Sequence, residues 1–365
     1  MKRIKTALML LSLWGLCIWL ISDRVSAQEI FLQFMTPNGI SIDALGNVNV
    51  HSDGVGTTLL TKFAPNGTQI IQVMLGNGSI DAERFLNSRL ATDPLLDRLY
   101  LLSPEGDIVV FVSSTLQELG RFNIQAPGLT VHISNVYDVA IAGLSNTFVL
   151  DDETTYGDIA VFRPNDGVNA PAWFVTGFSN GMAFVMRIPI EDIPDDVDQA
   201  EVILMSSTIS PFGLERPRGV AIGGYDLGNG VQEPVGLTTL PVPGAIANCP
   251  DQVIRFSLTT PSLNSGNVVN LAGTSGVPSW GMGTNDRGFF LTTGGAGNAA
   301  CLEGGSGRIV FITNTLTEID TIIPLNDFPG GRPADVAVSP NPGGAIYLTV
   351  PNFGEVGRIP TSVLP

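Results

Sequence analysis

The 365-residue chain is poor in charge, cysteine and histidine. Only 14% of its residues are charged, and it holds three cysteines and two histidines. An average soluble domain is about 25% charged. So few cysteines exclude a disulfide-dense scaffold, and their spacing excludes a Cys-x-x-Cys zinc site. Basic residues are scarce as well, 18 against 34 acidic ones, for a net charge of −16. A nucleic-acid partner is therefore not expected, because phosphate neutralisation needs a basic face. What the chain does have is 44% apolar residues, too many for disorder, with 42 glycines and 25 prolines, too many for a helical bundle. A turn-rich β protein remains.

The first 27 residues read as a signal peptide. Lys2, Arg3 and Lys5 precede the apolar run Ala7 to Ile21, and Val25-Ser26-Ala27 forms a small-residue cleavage site. The run is shorter than the roughly 20 residues a membrane-crossing helix needs, so export with cleavage near Ala27 is expected. Retention as an anchor is the minor alternative. The expected location is secreted or periplasmic, with no transmembrane segment after cleavage. Losing four basic residues and one acid from the 18 and 34 leaves a mature charge of −19. Cys249 and Cys301 remain, and in an oxidising compartment they are expected to form one disulfide.

Internal repetition dominates residues 28–365, which read as a single domain. Short paired runs recur six times. Pro37 to Ile42 precedes Gly46 to Val50, and Ser88 to Thr92 precedes Arg98 to Leu102. Tyr137 to Ile141 precedes Asn146 to Leu150, and Arg218 to Ile222 precedes Val235 to Thr239. Ser279 to Met282 precedes Gly288 to Thr292, and Ala334 to Val338 precedes Ala345 to Thr349. A third run follows, often opening on glycine as in Gly106 to Phe111, Gly157 to Phe162 and Gly307 to Phe311, and most copies add a fourth. Four short strands at a period near 50 is the spacing of a β-propeller blade. The sixth copy lacks its fourth strand, while Glu29 to Phe34 is a strand without a sheet. The predicted fold is thus all-β: six four-stranded blades, with the N-terminal strand completing the last and closing the ring. The gap between Asp138 and Gly219 is too long for one blade. It predicts a strand-containing insertion at about 171–212, with a seventh blade as the alternative.

The copies resemble the NHL-repeat family of propellers. The likeness rests on Gly76-Asn77-Gly78 and Phe85-Leu86-Asn87 ahead of an inner strand, and on the openings Pro37 to Asp43 and Arg332 to Val338. It covers nearly the whole mature chain. It implies the fold and little about function, because the family includes binding modules and enzymes alike.

Aligning the copies places Gly39, Arg89, Asp138, Gly219 and Trp280 with Asp335 around a central channel, preceded by Asn38, Ser88, Tyr137, Arg218 and Ser279. The candidate ligand-binding residues at the channel mouth are Asn38, Arg89, Tyr137, Asp138, Arg218, Trp280 and Asp335. The alternative is that the acids and arginines pair with one another while the aromatics plug the channel. One divalent cation, calcium, is the only cofactor considered, with Asp138, Asp335, Asp151 and Asp152 as candidate ligands. A solvated turn is the competing reading of Asp151-Asp152-Glu153. His51 stands two residues from Asp53, a pair suited to acid–base work or to hydrogen bonding in a turn. The functional expectation is a monomeric, non-catalytic binding module for an extracytoplasmic protein, glycan or small ligand. The alternative is a metal-assisted lactonase or lyase of the gluconolactonase or streptogramin-lyase type, using Asp138, Asp335 and Asn38.

Overall fold

Apolar runs punctuated by turn residues fold as strands and tight hairpins. At one such turn Gly106 adopts φ 86°, and its N–H donates to the Ser103 carbonyl at 3.0 Å. The Ser103 hydroxyl accepts from the Asp107 N–H at 2.9 Å, so the turn starts the next strand. In the computed structural model the described residues are 29–33, 36–54, 56–77, 83–93, 95–124, 130–133, 147–150, 153–164, 170–179, 182–190, 200–207, 219–226, 232–241, 251–258, 268–269, 279–293, 308–314, 319–324, 333–341 and 343–361.

These residues build six sheets. The first holds β2 (Thr36–Ile42), β3 (Val48–Gly54), β4 (Thr57–Phe63) and β5 (Gln69–Asn77) in sequential order. The second holds β6 (Arg89–Thr92), β7 (Arg98–Leu102), β8 (Asp107–Val112) and β9 (Gln117–Asn123). The fourth sheet consists of β16 (Val220–Asp226), β17 (Gln232–Pro241), β18 (Asp251–Ser257) and β19 (Val268–Val269). The fifth consists of β20 (Ser279–Asn285), β21 (Gly288–Thr293), β22 (Arg308–Thr313) and β23 (Ile319–Pro324). The sixth takes β24 (Asp335–Val338), β25 (Ala345–Val350) and β26 (Glu355–Pro360) from the chain's end, and β1 (Glu29–Gln33) pairs antiparallel with β26 as its fourth strand.

The third sheet departs from the predicted plan. Its innermost strand is β12 (Thr155–Phe162), which lies between β6 and β16. It is followed outward by β13 (Ala172–Ser179), β14 (Met182–Pro189) and β15 (Glu201–Ser207). The segment expected as an insertion at 171–212 therefore supplies regular strands of this sheet. The supernumerary strands come earlier: β10 (Thr130–Ile133) runs parallel to β15, and β11 (Thr147–Val149) pairs with β10 on the outer edge. Packing explains the exchange. The hairpin β13–β14 carries Trp173, Phe174, Val175, Phe184, Val185 and Met186, all essentially inaccessible, so it belongs between neighbouring sheets.

The inner strands follow one another in a circle: β2 beside β6, then β12, β16, β20 and β24, with β24 against β2. Six apolar clusters occupy the six boundaries. Leu60 meets Leu90, Leu99 and Leu101 between sheets one and two. Tyr100 and Ile108 meet Trp173 and Phe184 between two and three. Phe174 meets Val220 and Phe256, and Leu237 meets Phe289 and Leu291, at the next two. Phe290 and Phe311 meet Leu348 at the fifth, and Tyr347 meets Ile40 and Val50 at the sixth. Strands deep in the sheets are thus covered on both faces, which is why Leu99-Tyr100-Leu101-Leu102 is apolar throughout rather than alternating, while the outer β9 is largely exposed. Each large side chain so buried stabilises by roughly 1.5–3 kcal/mol.

Candidate functional site

Charged groups on the inner strands act between sheets, Arg89 and Asp335 from the first residue of β6 and β24 and Asp158 from the fourth of β12. Asp335 begins β24. Its Oδ1 accepts from the Val336 N–H at 2.8 Å, while Oδ2 reaches across to the Ile40 N–H in β2 at 3.0 Å. Asp158 does the same in β12, accepting from its neighbour Ile159 and from Val220 in β16, both at 2.9 Å. Each inner strand ends its sheet, so its second edge has no strand partner. A carboxylate that bonds the next strand's edge N–H satisfies a group whose burial is otherwise costly. Arg89 ties sheet two to sheet one in the reverse sense, donating from Nη1 to the Asn38 carbonyl at 2.5 Å, and Thr349 donates to that same oxygen at 3.1 Å.

Close approach demands small residues in the remaining sheets. A Cβ on Gly281 would lie 2.5 Å from the Asp335 Cα, and one on Gly39 would lie 2.7 Å from the Ser88 carbonyl oxygen. Burial pushes the Asp335 and Asp158 carboxyls above the ordinary range, and the field of Asp335 raises Asp158 further. The positive charge of Arg89 works against both shifts.

His51 and Asp53 lie on one face of β3. Asp53 accepts a short hydrogen bond from Asn38 Nδ2 and another from the Asn87 N–H at 3.0 Å. Burial, opposed by these bonds and by Arg89, raises it to about 6. His51 is fully buried, and burial lowers its pKa to about 3, with Arg89 adding in the same direction. Its Nε2 stands 3.7 Å from Asp53 Oδ1, too far for a hydrogen bond, and a neutral imidazole forms no ion pair there. Neither ring nitrogen has a hydrogen-bond partner among the described residues. The pair therefore lacks the contact and the basicity of an acid–base couple.

Inside the circle runs a cavity of about 350 Å³ to which all six inner strands contribute, with Ile42, Leu90, Val220 and Met282 among its walls and Asp158 and Asp335 in its lining. A second cavity of about 400 Å³ lies between sheets one and two. Its floor holds the buried Lys62, which is ion-paired to Asp43 at 2.5 Å and donates to the Ser113 carbonyl at 2.8 Å. Among the described residues no group of three His, Cys, Asp or Glu side chains is arranged to hold a metal ion.

Of the seven ligand candidates, Asn38, Arg89 and Asp335 come together here. Tyr137, Asp138 and Arg218 lie outside the described residues, as do Asp151, Asp152, Cys249 and Cys301. Two alignments are corrected. Since β12 is the innermost strand of sheet three, Asp158 takes the ring position expected of Asp138. The signal was present, because Asp158-Ile159-Ala160-Val161 repeats Asp335-Val336-Ala337-Val338. In sheet five the ring residue is Gly281 rather than Trp280. A register irregularity between Ser279 and Met282 moves the alignment by one, and Gly281 stands against Asp335. His51 and Asp53 had been paired by their spacing, but their link to Asn38 and Arg89 depends on tertiary structure.

Among solved structures, the chain is similar to the WD40 repeats of RRP9, with a TM-score of 0.50 at 10% identity over 92% of this chain and 97% of that one. The protein is a β-propeller. The structure of U3-55K (TM-score 0.49, 10% identity, covering 92% and 98%) and the β-propeller domain of Swd1 from Myceliophteria thermophila (0.44, 7%, 91% and 98%) are further neighbours. No protein-family model and no curated protein matches the sequence. No helix among the described residues is long and apolar enough to cross a membrane.

Proposed function

We propose that this propeller is a non-catalytic binding module. In this reading it is an exported, monomeric, NHL-type ring of six blades, closed by β1. It meets an extracytoplasmic protein, glycan or small ligand through its loop face and channel. One observation carries the reading: the charged groups at the channel mouth hold the ring together. Asp335, Asp158, Asp53 and Arg89 each bond backbone or amide groups of a neighbouring strand or turn, and the one described buried imidazole is neutral and without an acidic hydrogen bond. A catalytic set needs a group free to act and a partner oriented to activate it. The pairing of β1 with β26 and the circle of inner strands support closure. Cleavage near Ala27 and a Cys249–Cys301 bridge belong to the same proposal.

The test uses the purified mature chain twice. As bait against an extracytoplasmic fraction and a glycan array, it is expected to retain a saturable partner. In a screen of lactones and esters it is expected to show no turnover. Turnover that Asp335→Asn abolishes in a folded protein would sink the proposal.

A further inference from the structure

We propose that the channel cavity binds a small organic ammonium ion against Asp158 and Asp335. This rests on the binding-module reading and deepens it by naming a ligand class. The first observation is the space: about 350 Å³, lined by all six inner strands, which is ample for a short alkylamine. The second is the acceptor count. Ionised, a carboxylate offers about four lone-pair sites, and a cation held against the two favours that form over the burial that raises the pKa of both. Each of these two accepts two backbone N–H bonds, one on each oxygen, which leaves capacity on both oxygens of both groups. An ammonium group carries three donors and no acceptor, so the pair can take all three. Ile42, Leu90, Val220 and Met282 offer apolar surface to an alkyl stem.

The third observation is charge. Asp158, Asp335 and Asp53 are all buried, and among the described residues Arg89 is the cation whose field reaches all three. Asp53 Oδ1 is buried and has no hydrogen-bond partner among the described residues. Among the described residues at the mouth, acidic groups thus outnumber cations, and the whole chain carries −16. Both facts favour a cation and disfavour a carboxylate or phosphate guest. At the far end of the cavity Asp93 is already paired with Arg163 at 2.6 Å, so the selective end is the one at Asp158 and Asp335.

The experiment is calorimetry on the full mature chain with three probes of one chain length: n-butylammonium, n-butanol and butyrate. The expected result is one saturable site for n-butylammonium, at least about tenfold weaker binding of the alcohol, and no binding of butyrate. Asp335→Asn and Asp158→Asn, which keep shape and an acceptor oxygen, are each expected to weaken n-butylammonium binding about tenfold or more. The probe series uses the unsubstituted protein, so it decides the matter even if a variant fails to fold. Equal binding of alcohol and ammonium, or no binding of the ammonium, overturns the proposal. If the ammonium fails while the bait still retains a partner, this inference falls and the binding-module reading stands.

Discussion

At the scale of single residues, the channel mouth is a set of ties. Gly281 has no room for a side chain, so Gly281→Ala is expected to lower stability by about 1–3 kcal/mol in urea denaturation, as overpacking of a tight contact does. The titrating groups predict a pH response of mixed sign. Asp53 is raised from 3.8 to about 6, so its contribution is fully present below about 4 and is lost as pH rises through about 6. His51 is lowered from 6.5 to about 3. The unfolded chain therefore takes a proton that the folded one refuses, and stability falls as pH drops from about 6.5 toward 3. The two oppose each other between about pH 4 and 6. Asp335, also raised to about 6, acts in the same sense as Asp53, so Asp53→Asn should move the pH slope of stability toward loss on acidification and His51→Leu toward gain, both measured by urea denaturation across that range. An Asp53→Asn protein with an unchanged pH slope would contradict this assignment. Asn38, Arg89 and Asp335 were legible at this scale from repeat alignment alone. Asp158 was not, because Asp138-Val139-Ala140-Ile141 and Asp158-Ile159-Ala160-Val161 present the same pattern 20 residues apart. Only packing decides which of them reaches the axis.

At the scale of elements, five of the six inner strands could be read from the sequence, since β2, β6, β16, β20 and β24 each follow a turn and alternate small with branched residues. The third sheet could not, because periodicity does not reveal that β13 and β14 carry the bulkier apolar faces and take the middle places next to β12. The orphan strand at the N-terminus was legible for a physical reason: an unpaired edge on the last sheet needs a partner. Here Glu29 pairs with Arg358 and Gln33 with Glu355. Deleting residues 29–33 should expose the edge of β26 and produce oligomers or aggregates in size-exclusion chromatography with light scattering. A monomeric deletion variant of full stability would show that β1 is dispensable.

At the scale of the whole molecule, six clusters around one circle mean that each sheet depends on both neighbours, and such a ring is expected to unfold as a unit. Its stability is opposed by a net charge of −16. Screening that self-repulsion with up to about 0.3 M salt should raise the midpoint of thermal unfolding, and a lowered midpoint would contradict the charge argument. The central claim is that the buried channel carboxylates join sheets rather than perform chemistry. Amide hydrogen exchange resolved at Ile40 and Val220 tests it most directly, in the unsubstituted chain and in Asp335→Ala and Asp158→Ala. The account predicts at least about tenfold faster exchange at Ile40 but not Val220 in the first variant, and at Val220 but not Ile40 in the second, the loss of roughly one hydrogen bond's worth of protection at each. Unchanged exchange at both amides, in folded variants, would contradict it.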